Sequence, residues 1–217
     1  MKLISSWSGG KDACLALYRA MQAGHQPQAL LTMLEADGLR TRAHALPVAV
    51  LQQQAAAMGL PLVTPSVTWE GYRPVYVQAL AAAKMQRADA LVSGDIDLQA
   101  HRDWLEQVGE EAGLEVLFPL WEDAHSALLA EFHAVGFTTH IIAVKQGVLD
   151  KSWLGRKLDA IAMQELDAIG VDVCGEGGEF HTFVTDGPLF SRPLRIQALG
   201  SFTGEYNYTF LDFTLAT

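Results

Sequence analysis

Lys2-Leu3-Ile4-Ser5-Ser6-Trp7-Ser8-Gly9-Gly10-Lys11-Asp12 opens the chain with an apolar run and a Ser/Gly turn. Apolar residues then recur at helical spacing through Ala13, Leu17, Ala20 and Met21, stopping before Gly24. The order is strand, loop, helix. Glycines let the backbone curl closely around an anion, while the first amides of the helix, the Ser8 hydroxyl and the Lys11 charge all suit phosphate oxygens. The loop is neither G-x-x-x-x-G-K-[ST] nor G-x-G-x-x-G. So short a pattern also reads as a plain turn with a helix cap, but its place after the first strand of an alternating chain favours a nucleotide site.

The alternation continues outward from this stretch. Strands are predicted at 29–35, 61–64, 88–93 and 114–118, and helices at 47–58 with Pro47 at its start, 71–86, and 123–135. Another helix is predicted to be capped by Asp97, to carry Leu98, His101, Leu105, Val108 and Ala112 on one face, and to end at Gly113. Such repeats imply an α/β fold, a parallel sheet with helices on both faces. Ligands of such sheets sit beyond the carboxyl ends of the strands where the strand order reverses. Ser8-Gly9-Gly10 and Gly94-Asp95 both follow predicted strands, so the two are expected to border one crevice. After residue 136 the rhythm changes to a strand at 138–144, a helix at 154–169, a Gly-rich stretch at 174–179 and alternating strands at 195–217. The expected division is 1–136 and a smaller α+β lobe at 137–217.

Composition narrows the function classes. With 217 residues, half of them hydrophobic, there is material for one full core and an annex. A formal charge of -10 and a pI near 5.0 disfavour broad nucleic-acid binding, and no Lys/Arg run supplies a local basic patch. Cys14 and Cys174 form no C-x-x-C pair, which argues against a zinc or iron-sulfur framework and fits a reducing compartment. With no leader pattern and no stretch near the roughly 20 apolar residues of a membrane span, a soluble cytoplasmic protein is expected.

Two motifs then coincide. Ser8-Gly9-Gly10-Lys11-Asp12 resembles the PP-loop of N-type ATP pyrophosphatases, S-G-G-x-D-S. Gly175-Glu176-Gly177-Gly178-Glu179-Phe180, with Thr182 and Asp186-Gly187-Pro188, resembles the C-terminal signature of the diphthine-ammonia ligase family, and His44 and Gly94-Asp95-Ile96 add smaller echoes. The resemblance implies a HUP-like, Rossmann-type domain of the adenine nucleotide alpha hydrolase kind, acting as an AMP-forming ligase. ATP and Mg2+ would be its cofactors, and its other partners a carboxylate-bearing acceptor and ammonium. Two departures stand out: Ala13 replaces the usual Ser, and His181 stands where the ligases tend to have Glu. Another adenylating activity on a small metabolite, or a regulatory module that binds ATP or AMP without turnover, stays open.

On that reading Lys11, Glu176 and Glu179 are the catalytic candidates. Ser8, Gly9, Gly10, Lys11, Asp12, Gly94 and Asp95 bind ATP; His44, Gly177, Gly178, His181 and Asp186 meet the acceptor; Asp12 and Glu179 are candidate metal ligands. Bland alternatives accompany several of these: Asp12 as a first-turn helix acid, Asp95 and Asp186-Gly187-Pro188 as turns, and 176–179 as a solvated acidic loop. Cys14 beside the loop invites a sulfur-transfer reading, but a buried core thiol is the simpler role. Trp69, Tyr72 and Trp104 are read as core. The C-terminal strands are compatible with pairing in a homo-oligomer, and the sequence sets no oligomeric state.

Overall fold

The computed structural model describes residues 1–42 and 44–216 and divides them into two units, one of Met1–Ser8 with Asp12–Glu122, the other of Gly9–Lys11 with the chain from Asp123 onward. In the first unit β1 (Lys2–Ser6) is the central strand. It pairs in parallel with β2 (Gln26–Leu31) on one side and β4 (Ala90–Val92) on the other. β3 (Leu62–Val63) lies beyond β2 and β5 (Glu115–Leu117) beyond β4, giving the order β3-β2-β1-β4-β5. The order reverses between β1 and β4, which is where this architecture opens a ligand crevice.

Helices α1 (Lys11–Gln22), α2 (Val48–Met58), α3 (Tyr72–Met85) and α4 (Gln99–Ala112) connect the strands. Tyr76 and Leu80 of α3 and Leu105, Val108 and Ala112 of α4 bury against Ile4, Leu31 and Leu91 from the sheet. β1 therefore turns Ile4 to that face, and the alternate residue Leu3 is also fully buried, as expected of a strand covered on both sides. Gly113 closes α4 in the left-handed conformation (φ 73°), where glycine carries no Cβ penalty.

Differences from the sequence reading have local causes. β2 ends at Leu31, and Leu34 makes only isolated bridges, to Thr41 and Ser66. The N-cap of α4 is Leu98, which is half exposed and makes no side-chain cap bond, so Asp97 does not hold that position. His101 is exposed, and the buried face of α4 begins at Leu105. Gln54 of α2 is fully buried, and its Oε1 accepts the indole N–H of Trp7 at 2.9 Å.

The second unit is built on an antiparallel sheet ordered β7-β6-β9-β8, from β6 (Thr138–Lys145), β7 (Phe180–Asp186), β8 (Arg195–Thr203) and β9 (Tyr208–Ala216). The last residue of the predicted 195–217 strand region, Thr217, lies outside the described residues. α5 (His125–Ala134) belongs to this unit, where Phe132 stacks on Phe137 at 4.8 Å; the sequence reading had put the division after residue 136. The helix predicted at 154–169 is shorter: α6 spans Ala160–Ala168 and starts at Asp159, whose carboxylate accepts the amides of Ile161 and Ala162. Before it, Gly155 takes a φ of 81° and residues 156–158 run extended along β6, where Ile141 N–H donates to the Arg156 carbonyl and Leu158 N–H to that of Thr139.

Gly109 lets α4 approach β5 closely, since a Cβ there would lie 2.4 Å from Cγ2 of Val116. Val116 is stiff about its Cβ, so the clash has no cheap escape. Gly109→Ala should therefore destabilise the fold by about 1–2 kcal/mol in urea denaturation, despite the better helix propensity of alanine. In the second unit, burial lowers the His140 imidazole to about 4, with Lys157 adding to the effect. Unfolded, the ring takes up a proton near its ordinary 6.5; folded, it resists until about 4. Stability should be flat above pH 6.5 from this group and decline as pH falls toward 4, and His140→Gln should flatten that decline in pH-dependent melting.

Candidate functional site

Ser8 follows β1 directly, and its carbonyl lies 3.4 Å from Nδ1 of His44, so the histidine does reach the loop. The neighbouring Trp7 carbonyl accepts the Thr32 hydroxyl at 2.6 Å, and Trp7 N–H donates to Leu31, anchoring the loop entrance to β2. Gly94, just past β4, packs so closely on the start of α1 that a Cβ would lie 2.6 Å from the Asp12 carbonyl carbon and 2.7 Å from the Ala13 nitrogen. Gly94, Asp12 and Ala13 thus meet at the point of strand reversal. Asp95 is held there by the Ser93 hydroxyl at 2.5 Å and by His101 Nδ1 at 3.1 Å. Tyr76 from α3 brings its buried hydroxyl beside Ser6 and within the field of Asp95, and burial raises its pKa.

Cys14 is fully buried, and burial, followed by the negative charge of Asp12, pushes its thiol well above the usual range. A thiol held protonated is a poor nucleophile, so the core role stands against the sulfur-transfer reading. Trp69, Tyr72 and Tyr76 stack in series and Trp104 meets the two tyrosines at a tilt, with centroids 5.1–5.9 Å apart, and Arg42 lies 4.3 Å over Trp69. Tyr76 is core, but Trp69 is half exposed.

In the second unit the segment Gly9–Lys11 runs along β7. The Gly9 carbonyl accepts Val184 N–H at 2.9 Å, and Lys11 N–H donates to the Thr182 hydroxyl at 3.1 Å. One backbone amide expected to face an anion is therefore spent on β7. Lys11 is 5% exposed, and its ammonium lies 3.6 Å from the carboxylate of Glu176. A buried ammonium needs an anionic partner, and this one comes from the second motif.

The loop 175–179 folds tightly for steric reasons. A Cβ on Gly177 would lie 2.5 Å from Oε1 of Glu179, so the absence of a side chain lets that carboxylate fold back over the turn. Gly178 has a φ of 76°, and its carbonyl accepts the Tyr208 hydroxyl. Burial raises the Tyr208 pKa and the Glu179 charge adds to this. The Tyr208 ring stacks on His181 at 4.9 Å. Glu179 Oε2 is buried with no hydrogen-bond partner among the described residues. An orphaned carboxylate oxygen suits a cation, and Mg2+ carried on phosphates needs only one or two protein carboxylates. No group of three or more His, Cys, Asp or Glu capable of holding a metal occurs among the described residues.

Asp186 does not join this cluster. It ends β7, six residues past Phe180, which is about 20 Å of strand. Its carboxylate accepts the amide of Gly187, the turn role. Residues outside the sequence reading also shape the site: Tyr208 from β9, His125 from α5, and Asp172, which precedes the glycine-rich loop. Each is distant from its partner in sequence or lacks a motif, so nothing short-range announces it.

Two family models match: the diphthamide synthase N-terminal domain over residues 1–116 and the diphthamide synthase C-terminal domain over residues 124–211. Among curated relatives, the diphthine–ammonia ligase of Danio rerio is 30% identical, covering 91% of this chain and 87% of its own length. Those of Bos taurus and Homo sapiens are each 27% identical over 91% of this chain and 84% of theirs. A solved structure, described as a predicted subunit of tRNA methyltransferase from Methanocaldococcus jannaschii, aligns with a TM-score of 0.49 at 15% identity over 87% of this chain and 98% of that one. Matched by both domain models, which together span most of its length, the chain belongs to the diphthamide synthase family.

Proposed function

We propose that this chain is an ATP-dependent ligase that adenylates a carboxylate on its acceptor and passes the acyl group to ammonia, the co-substrate in the name of its diphthine–ammonia ligase relatives. The observation that carries the reading is the buried Lys11 ammonium held 3.6 Å from Glu176 at the end of a glycine turn. ATP phosphates entering beside Lys11 compete with Glu176 for the same charge. The acceptor carboxylate oxygen attacks the α-phosphorus, and the bond from phosphorus to the bridging oxygen breaks. Pyrophosphate leaves with that electron pair while Lys11 offsets its charge. Ammonia then attacks the acyl carbon, the C–O bond to AMP breaks, and one proton goes to solvent.

Ser8, Gly9, Gly10, Asp12, Gly94 and Asp95 are assigned to ATP. His44, Gly177, Gly178 and His181 are assigned to the acceptor. Mg2+ bound with ATP supplies further charge neutralisation, and Glu179, with its orphaned oxygen, is the residue suited to hold it. His181, stacked on Tyr208, presents an imidazole where the resembled ligases tend to have a carboxylate, a difference that bears on which carboxylate-bearing acceptor is taken.

Incubating the protein with ATP, Mg2+, ammonium and candidate acids should yield AMP and pyrophosphate in an acid-dependent manner. ADP and phosphate as products would overturn adenylation, and tight nucleotide binding with no turnover would make the chain a regulatory module instead. Lys11→Ala should weaken ATP binding at least tenfold by calorimetry, about 1.4 kcal/mol. Unchanged affinity would remove Lys11 from the site.

A further inference from the structure

Asp172 organises the turn that precedes the acidic loop. Its Oδ1 accepts the amide of Cys174 at 3.2 Å, and its Oδ2 accepts the amide of Glu176 at 3.0 Å. The Gly175 amide closes the same turn on the Asp172 carbonyl at 2.9 Å. A second element grips this turn: His125, first residue of α5, places Nδ1 3.0 Å from Asp172 Oδ2, and its carbonyl accepts the Cys174 thiol at 3.2 Å. Cys174 is 2% exposed, so the thiol contact is sealed from water. Burial alone would raise the Asp172 carboxyl, but the amides of Glu176 and Cys174 and the neighbouring His125 outweigh it and hold the group below the usual carboxylate range.

We infer that Asp172, oriented by His125, is a positioning residue that fixes the backbone of Glu176 and so the reach of its carboxylate to Lys11. The chain of contacts is continuous: His125 to Asp172, Asp172 to the Glu176 amide, Glu176 to Lys11 at 3.6 Å. A carboxylate here accepts two amides and the imidazole at once, which neither a hydroxyl nor a single amide oxygen reproduces. Losing it frees the turn just ahead of a residue whose placement matters, and misplacement by about 1 Å can cost on the order of 100-fold in rate. The inference rests on the adenylation reading for its catalytic consequence, while its structural half is independent of it.

The test compares wild type, Asp172→Asn, Asp172→Ala, His125→Ala and the double variant H125A/D172A as full chains. Asp172→Asn keeps one acceptor oxygen and nearly the same shape, so it reports even if Asp172→Ala fails to fold. Amide hydrogen exchange in the 174–179 segment should be at least tenfold faster in Asp172→Asn than in wild type. For AMP formation kcat should fall at least tenfold with the KM for ATP within twofold, and H125A/D172A should be no slower than Asp172→Ala. Unchanged exchange in Asp172→Asn overturns the positioning role whether or not the protein adenylates. Faster exchange with unchanged kcat overturns the link to catalysis. Wild type giving no AMP with any acid overturns the adenylation reading alone, and the exchange result still decides the turn.

Discussion

The second unit depends on the bonding of Gly9–Lys11 to β7, through the Gly9 carbonyl to Val184 and the Lys11 amide to Thr182. Three residues from near the start of the chain are thereby built into a unit otherwise made from its C-terminal part. Lys11 is buried there, and burial of an ammonium imposes the next requirement, a carboxylate within reach. Glu176 meets it, and the loop carrying Glu176 must then be held still. Asp172, His125 and Tyr208 hold it, from three different parts of the sequence.

The first unit solves a different problem. Its central strand is buried on both faces, so β1 is apolar at successive positions, and the polar chemistry moves to the residues that follow the strands. There the glycine at 94 matters for its missing Cβ, which lets the segment after β4 lie against the backbone of Asp12 and Ala13. Asp95 is not a loose carboxylate at this place, because Ser93 and His101 already orient it. That preorganisation suits a group that meets a ligand without having to move.

Much of this was legible in the residue order. The alternation of short apolar runs with helical spacing was enough for the parallel sheet, since strands covered on both faces and helices covered on one have different periods. Gly113 as a helix stop and Pro47 at a helix start were legible because their backbone preferences are local. The helix expected from residue 154 was not, because the contest between a helix and an extended strip along β6 is decided by the carbonyls β6 offers, which no local pattern records. β7 was hidden for a related reason: a strand beginning straight after a glycine-rich motif reads as part of the motif. Asp186 fell within the same motif and yet is carried away from the loop by the strand itself.

The sequence by itself determined the fold class and the strand-loop-helix setting of Ser8 to Asp12, and the resemblance of two motifs to a known family singled out Lys11, Glu176 and Glu179 as candidates. Periodicity and residue chemistry are short-range properties, so they survive without coordinates. Only the tertiary structure decided that Lys11 is buried and paired with Glu176, that a loop amide is spent on Thr182, and that Glu179 keeps one buried oxygen without a partner among the described residues. Those facts depend on which segments meet. Burial and hydrogen-bond satisfaction are properties of the packed chain and belong to no residue alone.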